Sequence, residues 1–291
     1  MKMSDYRGRF APSPTGPLHL GSLLAALASY LDAKSQQGEW LIRIEDIDPL
    51  REQPGASEQI LDALYRHGLM SDAPVIFQSQ RHSLYQRYLQ KLQISQHTYA
   101  CPCSRKQIAE QGHLPSGCPA PKGTVLPTAI RFKAINSLPV WFDQIQDNTT
   151  LMNLQPTENF ILFRKEGFFA YQLAVVCDDI EQGITHVVRG KDLLESTPGQ
   201  ILLYQALQKP LPQYVHLPLI LSNTGQKLSK QNHATPLNWH QPENNLRLIL
   251  KLLNQKIPTS IKTGSVTDII EWATLHWQIN KVPSELPQSF R

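Results

Sequence analysis

The sequence predicts an α/β protein: a split Rossmann-like fold in two strand-and-helix halves, with an insertion between them and a short helical C-terminal region. Three observations point there. The chain opens on a strand, turn and helix unit. An apolar strand ending in charge follows it. After a cysteine-bearing stretch, apolar runs and helix resume ahead of a polar loop with two lysines.

Residues 6–11 read as a short buried strand. Residues 12–17 hold three prolines and extend neither helix nor strand, and 23–33 (LLAALASYLDA) are strong helix formers. A strand at 40–44 (WLIRI) and a helix at 56–67 complete a first half, residues 1–80. An insertion over 81–165 carries a cysteine knuckle at about 97–121 and expected strands at 128–133 and 139–143. The second half, 166–241, returns with the apolar runs 168–176 and 186–189, a helix over 197–208 and the lysine loop. In 242–291 the periodicity predicts two amphipathic helices, 243–255 and 266–277, read as a small cap packed on the rest.

At 291 residues and 41% hydrophobic content the chain can bury a substantial core, and its 22 prolines imply many fixed turns. The opening MKMSDY has no apolar run, and nowhere do about eighteen apolar residues follow one another, so the expectation is a cytoplasmic protein with no membrane partner. A net charge of +4 and a pI near 8.8 permit a nucleic-acid partner without requiring one.

Two separated segments carry the chemistry. In RFAPSPTGPLHLGS (9–22) a Gly/Pro turn runs into a helix, so free backbone N–H groups and the positive helix end lie where an anionic phosphate can sit. Gly16 and Gly21 allow close approach, and His19 can donate to phosphate oxygens as charge builds on them. Alone, His19 reads as a surface histidine in a Gly/Pro turn. KLSKQ (227–231), preceded by SNTG (222–225), puts Lys227 and Lys230 on a polar loop able to neutralise a pyrophosphate leaving group. A lone lysine pair of this spacing is a solvated loop; the two segments together point to ATP.

RFAPSPTG (9–16), HLGS (19–22) as a form of the HIGH signature, IRIEDID (42–48) and KLSKQ as a form of KMSKS resemble the class I glutamyl-tRNA synthetases over residues 7 to about 235. DPLREQPGA (48–56) and FAYQLAVVCDDIEQGITHVVRG (169–190) are most similar to the short paralogue family, the glutamyl-queuosine tRNA(Asp) synthetases. The longer relatives continue past the lysine loop with a helical anticodon-binding domain. Here only 232–291 remain, so none is expected.

A glutamate pocket needs an acid for the α-ammonium and a base for the carboxylate that must not react. Glu45, closing its apolar strand, is assigned to the ammonium, and Arg9 can grip the side-chain carboxylate bidentately. The resemblance adds Phe10, Ala11, Pro12 and Ser13 from the same loop, and Tyr171 and Arg189 from the second half, as L-glutamate contacts; which arginine takes which carboxylate stays open. The resemblance also assigns His19, Gly21, Lys227 and Lys230 to ATP, with His19 and Lys230 catalytic. Asp46 reads as a structural residue hydrogen-bonded to neighbouring backbone, because Mg²⁺ favours substrate phosphates and water and arrives with ATP. Asp178 and Asp179 fit the family pattern in either a substrate or a fold role.

Cys101, Cys103 and Cys118 suit one tetrahedral Zn²⁺ per chain, against an alternative of three reduced thiols. In the related enzymes a tyrosine four residues before the last cysteine precedes it; here that position is Leu114, which cannot bind metal. His113 is the adjacent candidate, with His97 or water as alternatives. Cys177, in an apolar run, reads as core.

A monomer is expected, and the resemblance then implies an enzyme that forms glutamyl-adenylate from ATP and L-glutamate without tRNA. It passes the glutamyl group to the cyclopentene diol of queuosine at the wobble position of tRNA(Asp). Two other readings compete: a truncated glutamyl-tRNA synthetase charging a tRNA 3′ end, and a catalytically silent RNA-binding paralogue.

Overall fold

The computed structural model describes residues 5–104, 106–108, 118, 128–133, 140–147, 159–220 and 240–286. Residues 1–80 carry β1 (Arg7–Phe10), α1 (Leu20–Ser35), β2 (Glu39–Ile44), α2 (Ala56–Arg66) and β3 (Ile76–Phe77), and residues 81–165 begin with α3 (His82–Ile94). The insertion holds β4 (Thr98–Cys101), β5 (Ala129–Phe132) and β6 (Ile161–Phe163). Then follow α4 (Tyr171–Glu181), β7 (His186–Gly190), α5 (Thr197–Ala206), β8 (Gln213–Leu217), α6 (Pro242–Leu252) and α7 (Val266–His276).

β1, β2 and β3 pair in parallel, as do β7 and β8, each pair joined through a helix in the manner of βαβ units. The two parallel sheets meet where Thr185 N donates to Arg7 O at 2.9 Å and Arg7 N donates to Thr185 Oγ1 at 2.9 Å. Close approach fixes one glycine: a Cβ on Gly38, at the entry to β2, would stand 2.5 Å from the Tyr6 carbonyl oxygen. The insertion strands form a separate antiparallel sheet in the order β4, β5, β6.

The parallel strands are buried on both faces, so β2 reads EWLIRI with only its first residue partly exposed. α1 buries Leu23, Leu24, Leu27 and Leu31 against them, and α6 and α7 share that core through Leu246, Ile249, Leu250 and Ile269. A capping box between Ser265 and Asp268 starts α7. Asp32, on α1, accepts from Tyr6 Oη at 2.5 Å and from Trp277 Nε1 at 2.9 Å, tying β1, α1 and the C-terminal helices together.

One expectation changes. The strand expected at 139–143 is absent over the described residues 140–143, where Asp143 makes only an isolated bridge to Tyr214. Val140 and Phe142 are exposed and Trp141 is buried, so the alternation is real, but no ladder accompanies it. The run 168–176 enters helix α4, whose residues 173–179 are all buried; a helix enclosed on all sides shows no polar stripe to reveal its period. The lysine loop and His113 lie outside the described residues.

Candidate active site

A cavity of about 410 Å³ opens at the carboxyl ends of β1, β2 and β7, where ligands bind in open α/β sheets. It brings together Arg9, Phe10, Ala11, Pro12, Ser13, His19, Gly21, Glu45, Tyr171 and Arg189 from four separate stretches of chain. Lys227 and Lys230 fall outside the described residues. Thr15, Arg51 and Asp192 line the same cavity and had not been singled out.

The turn after β1 is built by backbone bonds. Glu45 N donates to Pro12 O at 2.9 Å and Gln53 N to Pro14 O at 2.9 Å, so the proline-rich loop is stitched to the end of β2. His19 is the N-cap of α1, its Nδ1 accepting from Ser22 N at 3.1 Å. A Cβ on Gly21 would lie 3.2 Å from His19 Cε1, so glycine lets the ring rest over the first turn. The amino end of a 16-residue helix thus lies at the cavity, and its dipole favours an anion there.

Beneath the cavity lies a buried charge network centred on Arg43, which had been read only as part of its strand. Its guanidinium reaches Asp179 at 2.8 Å, Glu45 at 3.3 Å and Asp178 at 3.6 Å, and donates to Gln182 Oε1 at 2.6 Å. Asp178 also accepts from Arg81 at 2.7 Å, Gln78 at 2.8 Å and Tyr85 at 2.9 Å, a fold role; Asp179 instead faces Arg9 at 3.2 Å. A charged residue inside an otherwise apolar strand was the available signal for Arg43, since a buried guanidinium needs buried carboxylates. Arg9 is therefore not free to present its whole fork to a ligand: Nε and Nη2 both face Asp179.

Glu45 is buried, and burial pushes its carboxyl up to about 7 against the opposing pull of Arg43 and Arg9. Burial also raises the Tyr171 hydroxyl, and the Glu45 charge adds to it, so Tyr171 stays a neutral donor. Arg189 donates from Nη2 to Thr197 Oγ1 at 2.8 Å and from Nε to His216 Nε2 at 3.1 Å, while its buried Nη1 has no hydrogen-bond partner. Arg189 itself lines the cavity, and a guanidinium there suits an anionic ligand.

Asp46 accepts from Ser79 N at 2.9 Å and Ser79 Oγ at 2.6 Å, and Asp48 accepts from Arg164 at 3.0 Å. The backbone that Asp46 holds is thus distant in sequence, at the entry to α3. The sulfurs of Cys101, Cys103 and Cys118 lie within 4.8 Å of one another, as a shared tetrahedral ion at ~2.3 Å from each would require. These three thiols could hold a metal. His97 hydrogen-bonds Ser95 and stacks on Phe132, apart from the thiol group. Cys177 is fully buried in α4. Among the described residues no helix is long and apolar enough to cross a membrane.

Residues 5–124 and 122–258 match the family described as tRNA synthetases class I (E and Q), catalytic domain. The chain is 46% identical over 284 residues to the glutamyl-Q tRNA(Asp) synthetase of Vibrio parahaemolyticus, covering 98% of this chain and 96% of that one. It is 46% identical over 288 residues to the enzyme of the same name from Serratia proteamaculans, covering 97% and 94%. Among solved structures it is similar to the glutamate-tRNA synthetase of Elizabethkingia anophelis, with a TM-score of 0.75 and 28% identity, covering 97% of this chain and 68% of that one. A glutamate tRNA ligase from Elizabethkingia meningosepticum, solved in complex with its amino acid, matches at the same TM-score of 0.75. With the nucleotide-type sheet, the helix-capping histidine and these relatives in agreement, the chain belongs to the class I tRNA synthetases of the E and Q type, and within them to the glutamyl-Q tRNA(Asp) synthetases.

Proposed function

We propose that the chain activates L-glutamate with ATP and transfers the glutamyl group to queuosine at the wobble position of tRNA(Asp). The observation that carries the site reading is one cavity lined by a buried acid, Glu45, and by a buried arginine, Arg189, whose Nη1 has no hydrogen-bond partner. Those are the complements of an ammonium and a carboxylate.

In this reading Glu45 takes the α-ammonium with Ser13, while Arg9, Tyr171 and Arg189 hold carboxylate oxygens. The unpaired Nη1 makes Arg189 the stronger candidate for a direct ion pair. The α-carboxylate attacks the α-phosphate of ATP in line, and pyrophosphate leaves. His19 and the amino end of α1 meet the charge that develops on the phosphates, and Lys230, with Lys227, closes on the leaving group. Mg²⁺ arriving with ATP supplies further charge neutralisation. An RNA hydroxyl then attacks the glutamyl carbonyl and AMP departs.

Cys101, Cys103 and Cys118, with His113 as the proposed fourth ligand, would hold one zinc that staples the insertion loop. The proposed division remains a first half at 1–80, an insertion at 81–165, a second half at 166–241 and a helical region from 242. The proposed setting is a cytoplasmic monomer.

The test follows labelled glutamate. It should reach tRNA(Asp) only when the RNA contains queuosine, and after ribonuclease digestion it should travel with the anticodon fragment. Label on the 3′ fragment, or equal labelling of queuosine-free RNA, would restore the charging enzyme; no glutamate-dependent pyrophosphate exchange at all would favour the silent paralogue.

A further inference from the structure

We propose that Asp143 and His216 are positioning residues for Arg189, a buried relay that aims the guanidinium of Arg189 into the amino-acid cavity. The proposal rests on the reading of Arg189 as a carboxylate ligand.

Arg189 and His216 are register partners on the parallel strands β7 and β8, which places their side chains on one face of the sheet. Arg189 Nε donates to His216 Nε2 at 3.1 Å, and the other ring nitrogen, Nδ1, lies 2.6 Å from Asp143 Oδ2. Neither the Asp143 nor the His216 side chain is exposed. Asp143 also accepts from the backbone N–H groups of Ile145, Gln146 and His216, at 2.9, 2.9 and 3.0 Å, so the carboxylate itself is held from several sides.

The chemistry of this chain is directional. A guanidinium only donates, so His216 Nε2 must offer a lone pair. That requires the tautomer with its proton on Nδ1, and a carboxylate accepting at Nδ1 selects it. Burial acts to raise Asp143, but the His216 hydrogen bond and the backbone donors outweigh it and keep the carboxylate below its usual range. Burial pushes His216 down to about 4 against the Asp143 bond, so the ring is neutral and does not repel Arg189.

The remaining contacts complete the aim. Arg189 Nη2 is taken by Thr197 Oγ1 at 2.8 Å and Leu193 O at 3.4 Å, and the Tyr214 ring lies 5.5 Å from the guanidinium carbon. With Nε and Nη2 committed, Nη1 is the nitrogen left over, and Arg189 lines the cavity. Asp143 comes from the insertion, so that segment contributes to the setting of the amino-acid pocket.

The experiment compares His216→Leu, His216→Gln and Asp143→Asn in glutamate-dependent pyrophosphate exchange. KM is measured for glutamate and ATP separately, with melting temperature alongside. Glutamine at 216 can accept from Arg189 and donate to Asp143, whereas leucine can do neither. Asparagine at 143 can present an N–H to the ring and drive the wrong tautomer.

His216→Leu and Asp143→Asn should raise KM for glutamate by about tenfold or more while KM for ATP changes less than about twofold, and His216→Gln should recover most of the loss. Equal behaviour of the Gln and Leu variants, or parallel shifts in both KM values tracking a lower melting temperature, would reduce the relay to packing and overturn the proposal. A measurement on the unmutated protein stands apart from variant folding: ¹⁵N spectra should show His216 protonated at Nδ1, and a proton on Nε2 would also overturn it. Absent glutamate-dependent exchange in the unmutated enzyme would instead sink the amino-acid reading beneath the relay, which falls with it.

Discussion

Arg43 and Glu45, two residues apart on and just beyond β2, share one buried face, and the Arg43 guanidinium donates to Glu45 Oε1 at 3.3 Å. The same guanidinium binds Asp179, which in turn faces Arg9. One side chain therefore supports both the proposed ammonium ligand and a proposed carboxylate ligand.

Removing Arg43 should be costly for the fold. Arg43→Met leaves Glu45, Asp178 and Asp179 buried with less opposing charge, and loss of about 3–5 kcal/mol is expected. Arg43→Lys should recover little, because an ammonium cannot span acceptors on several sides as the guanidinium fork does. Urea unfolding midpoints measure both; an unchanged midpoint in the methionine variant would contradict the network.

Glu45 makes glutamate binding pH-dependent with a defined sign. Its carboxyl, raised to about 7 by burial against Arg43 and Arg9, must ionise to bind an ammonium. kcat/KM for glutamate should therefore be full above that value and fall about tenfold per pH unit below it, in exchange assays from about pH 5.5 to 8.5. At saturating glutamate the limb should move to lower pH, because the bound ammonium favours the carboxylate. Glu45→Gln should bind glutamate weakly and lose the limb; a limb that survives in this variant belongs to another group.

Lys230→Ala should depress kcat for pyrophosphate exchange by roughly a hundredfold or more, with less effect on ATP binding, since the charge acts as the leaving phosphates develop theirs. An unchanged exchange rate would remove Lys230 from the chemistry.

Purified protein should carry close to one zinc per chain by metal analysis. Cys101→Ser should lose it and His113→Ala should hold it more weakly. Zinc-free protein with full activity would leave three reduced thiols, and undiminished affinity in His113→Ala would move the fourth ligand to water.

The local elements were legible because their signals are local. Prolines and glycines closed the turn after β1, the 23–33 run specified α1, and the periodicity of the C-terminal segment gave α6 and α7 to within a few residues. Where the period was misleading the reading failed, at an alternating segment over 140–143 with no ladder.

By itself the sequence determined the strand-turn-helix at the amino end, the family, and several of the residues that line the cavity, because each is written in contiguous motifs. Only the tertiary structure decided how they are held. Arg43 with Asp178 and Asp179 lie more than a hundred residues apart in sequence, and Asp143 with His216 lie 73 apart. The same packing commits part of Arg9 to Asp179 while leaving Arg189 Nη1 unpaired. A buried charge must find its partner wherever the chain folds it, and such partners leave no spacing in the sequence to be read.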